Sequence, residues 1–164
     1  MKTCLVGCGG IAAVHGSVLT SGIDTEFVAA ADIKLEKAQS YAENFHTKPY
    51  PSLESMLEAE KPDVLHICTP HYLHVPMAIY SLERNINVFM EKPPAISFDQ
   101  LEELKKAAAK SDAQLGFCYQ NRYNASIRAA KDLIDSGKSG KVLGARAFVT
   151  WCRGAAYYTE SGWR

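Results

Sequence analysis

The 164-residue chain predicts an α/β fold: a doubly wound parallel sheet followed by the beginning of a second α/β domain. Three observations carry this expectation. Short apolar runs alternate with helix-period segments from the N-terminus to Tyr119. The first run, Cys4-Leu5-Val6, breaks at a glycine turn, Gly7-Cys8-Gly9-Gly10. After Arg122 the pattern changes to one helical segment and one long alternating stretch.

The glycine turn comes first. Gly7, Gly9 and Ala12 occupy the three small positions of G-x-G-x-x-A. Gly7 permits the tight turn, Gly9 lets a pyrophosphate approach the backbone, and Ala12 lets the helix pack on the strand. Gly10 and Ile11 open that helix, expected over Gly10–Thr20, whose free N–H groups favour phosphate. A second strand, Glu26–Ala31, ends at Asp32, about 20 residues beyond Ala12. A carboxylate at that spacing accepts the two ribose hydroxyls of an adenosine. The plainer alternative is a β-turn-α corner with a surface aspartate.

The remaining elements follow in order. Leu35, Ala38, Tyr41, Ala42 and Phe45 recur at helical spacing. Pro49 and Pro51 bracket a short connection, and Ser52 caps a helix over Leu53–Ala59. Val64–Cys68 is a strand ending at Thr69-Pro70, and Tyr72–Glu83 is a helix. Val88-Phe89-Met90 leads into Glu91-Lys92-Pro93-Pro94. Ser97–Lys110 is an amphipathic helix with Ser97 and Gln100 as a capping box, and Gln114–Tyr119 is a last strand. Five or six strands result. Ligands in such sheets bind at the carboxyl ends of the strands. The residues to inspect are Gly7 to Ala12, Asp32, Cys68-Thr69-Pro70, Glu91 to Pro94, and Tyr119 to Arg122.

The division expected is a first domain over 1–122 and an incomplete second one over 123–164. Asn124–Ser136 reads as a helix closed by Gly137. Lys141–Cys152 alternates like the first strand of a second sheet, with an unpaired edge that invites self-association or disorder.

Composition excludes several classes. Lys plus Arg and Asp plus Glu both number 18, which argues against an electrostatic nucleic-acid partner. No apolar run approaches the ~20 residues that span a bilayer, so no membrane is expected. Five cysteines, with no C-x-x-C pair, suit reduced thiols in a cytoplasmic protein. Leu5-Val6-Gly7-Cys8 looks like a lipoprotein cleavage box, but too few apolar residues precede Cys8 for a signal segment. His71 and His74 stand three apart, yet no second ligand cluster completes a site, and no metal is expected. His15 and His66 read as packing residues and His46 as solvated.

Five stretches together resemble the Gfo/Idh/MocA oxidoreductase family: GCGGIAAVH at the start, AAD, ICTPHYLH, VFMEKP, and the terminal SGWR. The resemblance implies a Rossmann domain and NAD(P)-dependent hydride transfer on sugars, cyclitols or related alcohols; the unpaired edge of 141–152 makes a homo-oligomer the expected state. It makes Glu91-Lys92-Pro93 the segment facing cofactor and substrate, with Lys92 the catalytic lysine beside the reacting carbon. It places Thr69, Pro70 and His74 along the cofactor trough and Asn121 and Arg122 near the nicotinamide. Trp163 and Arg164 match a pair that reaches the cofactor from the second domain. His15 matches a histidine that follows the glycine turn, with a structural role.

Lys92 suits its task. An acid–base group helps as hydride leaves an alcohol carbon, and an ammonium stabilises alkoxide character. The bland alternative is a surface lysine at a strand end. Asp32 bears on cofactor choice: beside a 2′-phosphate, like charges about 4 Å apart cost roughly 4 kcal/mol at an effective dielectric of about 20. NAD is expected and NADP disfavoured, with Lys34 blunting the effect. Members of the family run about twice this length, so the substrate pocket and a histidine partner of the lysine are expected outside this chain. Two alternatives stand beside the dehydrogenase reading. One is a dinucleotide-binding module without catalysis; the other is a glycoside hydrolase that uses bound NAD transiently.

Overall fold

The computed structural model describes residues 1–22 and 24–159. The chain forms two compact units, Met1–Cys118 and a second from Tyr119 onward. The first unit contains β1 (Lys2–Val6), α1 (Ala12–Leu19), β2 (Glu26–Ala31), α2 (Leu35–Phe45), β3 (Lys48–Tyr50) and α3 (Leu53–Glu60). It continues with β4 (Val64–Ile67), α4 (His71–Leu82), β5 (Asn87–Glu91), α5 (Phe98–Lys110) and β6 (Leu115–Cys118). The strands pair in parallel in the order β3-β2-β1-β4-β5-β6. The chain begins at the centre, steps outward to β3, then crosses back to β4. In sheets of this order, ligands bind beyond the carboxyl ends of the strands at that reversal.

Side-chain alternation along each strand builds two cores. Cys4, Val6, Ala29, Ala31, Leu65, Ile67, Val88 and Met90 face the apolar sides of α3, α4 and α5, including Met56, Val75, Leu82 and Leu104. Leu5 and Ala30 face the opposite way, against Ala12 of α1 and Tyr41 of α2. Both faces are covered, as a parallel sheet requires. Leu65, Ile67 and Met90 are fully buried, each contributing about 1.5–3 kcal/mol of hydrophobic stabilisation. Small residues let α1 and α2 meet closely. A Cβ on Gly16 would lie 2.5 Å from Tyr41 Oη and 2.7 Å from Phe45. Tyr41 Oη instead donates to the Ala12 carbonyl at 2.8 Å.

Local chemistry sets the helix ends. Ser52 Oγ accepts from Ser55 N at 3.1 Å, and Ser97 Oγ accepts from Gln100 N at 3.2 Å; each cap is worth about 1 kcal/mol. Gln100 Oε1 accepts from Ile96 N, one residue before the Ser97 amide that a strict capping box uses. α2 and α3 stop at His46 and Lys61, both left-handed, at φ 54° and 46°.

The fold departs from the sequence reading in three places. α1 starts at Ala12, two residues late, because the glycine turn extends through Ile11. The segment around Pro49 is not a plain connection: β3 pairs with β2 through Ala29–Lys48, Ala30–Pro49 and Ala31–Tyr50. Proline lacks a donor, but at the sheet edge the outward amide has no partner to lose. The third departure is in the second unit. A 3-10 turn (Gln120–Tyr123), α6 (Ala125–Asp135) and α7 (Ala155–Thr159) are present. Lys141–Cys152, expected as a strand, has no regular secondary structure and no ladder partner among the described residues. Leu143 and Phe148 within it are 89% and 85% exposed. Alternation makes a segment competent to pair, but a strand exists only with a neighbour. Trp163 and Arg164 lie outside the described residues.

Candidate cofactor site at the carboxyl ends of the strands

Register places the strand ends in line. Val6 pairs with Ala31 and with Ile67, and Ile67 pairs with Met90. The residues that follow, Gly7, Asp32, Cys68 to Pro70 and Glu91 to Pro93, therefore share one edge of the sheet. At the reversal the two central loops touch through backbone. Gly7 has φ +92°, and a Cβ there would lie 2.7 Å from Cys68 C and Thr69 N. Gly7 N donates to Ala31 O, and Cys68 N to Val6 O, each at 2.8 Å. Cys68 meets the turn through its backbone, and its side chain is buried. Gly9 and Gly10 behave differently: an added Cβ would meet nothing within 4 Å. The outer surface of the turn is open. No side chain caps α1; the Ala12 and Val14 N–H groups donate instead to the Gly9 and Ile11 carbonyls, each at 3.1 Å.

Asp32 is tied to that turn. Its Oδ2 accepts from Cys8 N at 2.9 Å and its Oδ1 from Lys34 N at 2.9 Å. Each oxygen retains a lone pair for an incoming hydroxyl. Burial, and then the charge of Asp32, push the neighbouring Cys8 thiol up to about 12. The thiol stays protonated and unreactive beside the turn.

The β4–α4 loop contributes Thr69, whose Oγ1 is buried with no hydrogen-bond partner. An orphaned hydroxyl at this edge fits a ligand that brings a polar atom. His74 was expected in the trough wall. The structure places it behind the wall, fully buried. Its Nδ1 lies 2.8 Å from the Pro93 carbonyl and its Nε2 2.9 Å from the Thr69 carbonyl. A side chain with no exposed surface has none to offer a cofactor; His74 instead clips the Thr69 loop to the Lys92-Pro93 turn.

Glu91 ends β5 and Lys92 follows it. Strand alternation puts His66, Phe89 and Glu91 on the face covered by α1, and His15 of α1 closes over them. His15 Nε2 donates to Glu91 Oε1 at 3.0 Å, and His15 Nδ1 lies 2.9 Å from His66 Nδ1. Lys92 Nζ stands 3.6 Å from Glu91 Oε2 with its side chain 47% exposed. Burial alone would raise the Glu91 carboxyl. Hydrogen bonds from His15 and the Cys118 thiol, with the charge of Lys92, outweigh burial and hold it below the usual carboxylate range. Burial, then the charge of His15, push His66 down to about 4, so its ring is neutral at physiological pH. The Lys92–Pro93 peptide bond is cis.

This network was not legible as such in the sequence, where His15 and His66 read as packing residues. His15, Glu91 and Cys118 each bring one ligand-type atom within 4.8 Å of the others. The signal was a histidine inside the apolar run Val64–Cys68, an uncommon place for a ring that must be hydrogen-bonded. Asn121 and Arg122 lie in the 3-10 turn of the second unit, both exposed.

A parallel sheet of this strand order, with a glycine turn at its reversal and a tethered aspartate after β2, defines a dinucleotide-binding α/β domain. Comparison with known proteins identifies which. Residues 1–119 match the GFO_IDH_MocA family model, the oxidoreductase family with an NAD-binding Rossmann fold. The chain belongs to that family. It is 28% identical over 165 residues to D-glucoside 3-dehydrogenase of Escherichia coli K12, covering 99% of this chain and 46% of that protein. It is 28% identical over 151 residues to inositol 2-dehydrogenase/D-chiro-inositol 3-dehydrogenase of Lacticaseibacillus casei, covering 90% and 44%. Among solved structures, the WlbA dehydrogenase of Bordetella pertussis, in complex with NADH and UDP-GlcNAcA, superposes with a TM-score of 0.91. That match has 30% identity and covers 99% of this chain and 50% of that one. The chain spans about half the length of the relatives it matches. NAD is the cofactor of the family, and the open glycine turn, the tethered Asp32 and the orphaned Thr69 hydroxyl fit it.

Proposed function

We propose that this chain is the cofactor-binding part of an NAD-dependent oxidoreductase that acts on a ring hydroxyl of a sugar or cyclitol. One observation carries the reading. An ion-paired, half-exposed lysine, Lys92, stands on the same sheet edge as the glycine turn and Asp32. The residues from Gly7 to Ala12 would hold the pyrophosphate, Asp32 the adenosine ribose, and Thr69 and Pro70 the middle of the dinucleotide. NAD, when bound, supplies the hydride acceptor. Lys92, in its neutral form, takes the proton of the substrate hydroxyl; as the ammonium it steadies the developing oxyanion.

The relatives support the substrate class. Their names specify glucosides and inositols, and one solved relative holds UDP-GlcNAcA. On the same reading the chain divides at Arg122, and 123–164 begins a substrate domain. Asn121, Arg122, Trp163 and Arg164 then serve the nicotinamide end. The exposed run 141–152, with Leu143, Phe148, Val149 and Trp151, is the part we assign to pairing with further chain or a second copy. Five free cysteines suit a cytoplasmic setting.

The test is Lys92→Ala in a protein whose second domain is complete, as in the relatives. We expect turnover on glucosides or inositols to fall about 10²–10⁴-fold, with NADH affinity within about twofold. Retained turnover would overturn the role of Lys92.

A further inference from the structure

We propose that Glu91 is a positioning residue for Lys92: one carboxylate oxygen is anchored by buried His15, and the other holds the lysine ammonium at the sheet edge. This rests on the reading of Lys92 as the acid–base group, but its test does not.

Neighbours along a strand point to opposite faces, so residues 91 and 92 would ordinarily diverge. Here β5 ends at Glu91, and Lys92 Nζ returns to within 3.6 Å of Glu91 Oε2. That distance is an ion pair rather than a hydrogen bond. It steers the ammonium without consuming its donors, which stay free for a substrate oxygen.

The other end of the carboxylate is fixed more tightly. Glu91 is 4% exposed. Burying a charge with partial pairing gains little stability, and an apolar residue of similar size often does as well. A buried, fully engaged carboxylate beside a candidate acid–base lysine is better explained by what it orients. His15 Nε2 must carry a proton, because a carboxylate only accepts. Its Nδ1 then meets His66 Nδ1, and only one of those two nitrogens can carry the hydrogen between them. Phe89 packs against both rings, at 6.0 Å from His15 and 5.1 Å from His66. The groups facing Glu91 are therefore His15 from α1, the Cys118 thiol from β6 and Lys92 just after β5, with His66 of β4 one step behind.

The experiment is competitive acylation of the whole chain with trace acetic anhydride at pH 8. Labelling of Lys92 is read by mass spectrometry against exposed lysines as internal standards. Only an uncharged amine reacts, so the rate reports how firmly the ammonium is held. We expect Glu91→Gln to speed labelling of Lys92 about three- to tenfold, the effect of losing one adjacent charge. His15→Leu should speed it in the same direction, because burial drives an unanchored carboxyl toward its neutral form. His15→Gln, which keeps an N–H donor for Glu91, should stay within about twofold of the parent. A purely structural histidine would not show this split between leucine and glutamine. Unchanged labelling in a folded Glu91→Gln chain overturns the proposal. Should that variant not fold, equal labelling in His15→Leu and His15→Gln overturns it. Neither result depends on turnover, so failure here is distinct from failure of the proposed reaction.

Discussion

The backbone N–H of Cys8 donates to Asp32 Oδ2 across 2.9 Å, joining the glycine turn after β1 to the carboxylate after β2. The two features that the sequence shows 24 residues apart are hydrogen-bonded to each other in the fold. A second amide, Lys34 N, holds the other oxygen at 2.9 Å. The carboxylate is thus oriented before any ribose arrives, and its rotamer entropy is already spent.

Asp32→Ala should remove both the ribose acceptors and the repulsion of a 2′-phosphate. We expect the NADH dissociation constant to rise about 10- to 100-fold, the loss of one or two charge-assisted hydrogen bonds. The NADPH constant should change far less, so the preference between the two nearly vanishes. Paired fluorescence titrations of the variant check both.

Gly7→Ala should destabilise the first unit by at least about 2 kcal/mol. The cause is twofold: φ is +92°, and the new Cβ would press on rigid backbone at 2.7 Å. Gly9→Ala is the control, since nothing lies within 4 Å of its Cβ. It should leave stability within about 1 kcal/mol while lowering NADH affinity, because the added methyl occupies the approach to the turn. Urea unfolding measures the first effect, cofactor titration the second.

Acid should lower the stability of the first unit over two identifiable pH windows. Glu60, buried on α3, accepts from Tyr50 Oη at 2.6 Å and Lys48 Nζ at 2.9 Å, and pairs with Lys2 Nζ at 3.1 Å. The Tyr50 bond, then the Lys48 bond, lower it to about 2 despite burial. A depressed folded value gives stability that is present above the unfolded value, near 4.5, and lost as pH falls toward about 2. His66, lowered to about 4, follows the same sign: the unfolded ring binds its proton first, so stability falls between about 6.5 and about 4. Thermal melts against pH should show both slopes. Glu60→Gln should flatten the lower one, worth up to about 3 kcal/mol, and His66→Phe the upper.

What was legible in the sequence was local. The Gly7–Ala12 spacing, the Ala31-Asp32 strand end and the Ser52 and Ser97 caps are each decided within a few residues, and each is found in place. What was not legible depends on distant partners. His15 meets His66 and Glu91 across 51 and 76 residues, and no local pattern encodes that contact. His74 falls behind the wall because both of its ring nitrogens find carbonyls from other loops. Pro49 reads as a breaker, and only an edge position makes it tolerable in β3. The run 141–152 alternates like a strand, yet pairing is a property of two segments, of which the described residues supply one.

The most direct measurement is a fluorescence titration of NADH into this 164-residue chain, with NADPH in parallel. We expect saturable binding of NADH, tighter than NADPH by at least about tenfold. Equal dissociation constants for the two cofactors, or binding of neither by the folded chain, would contradict it.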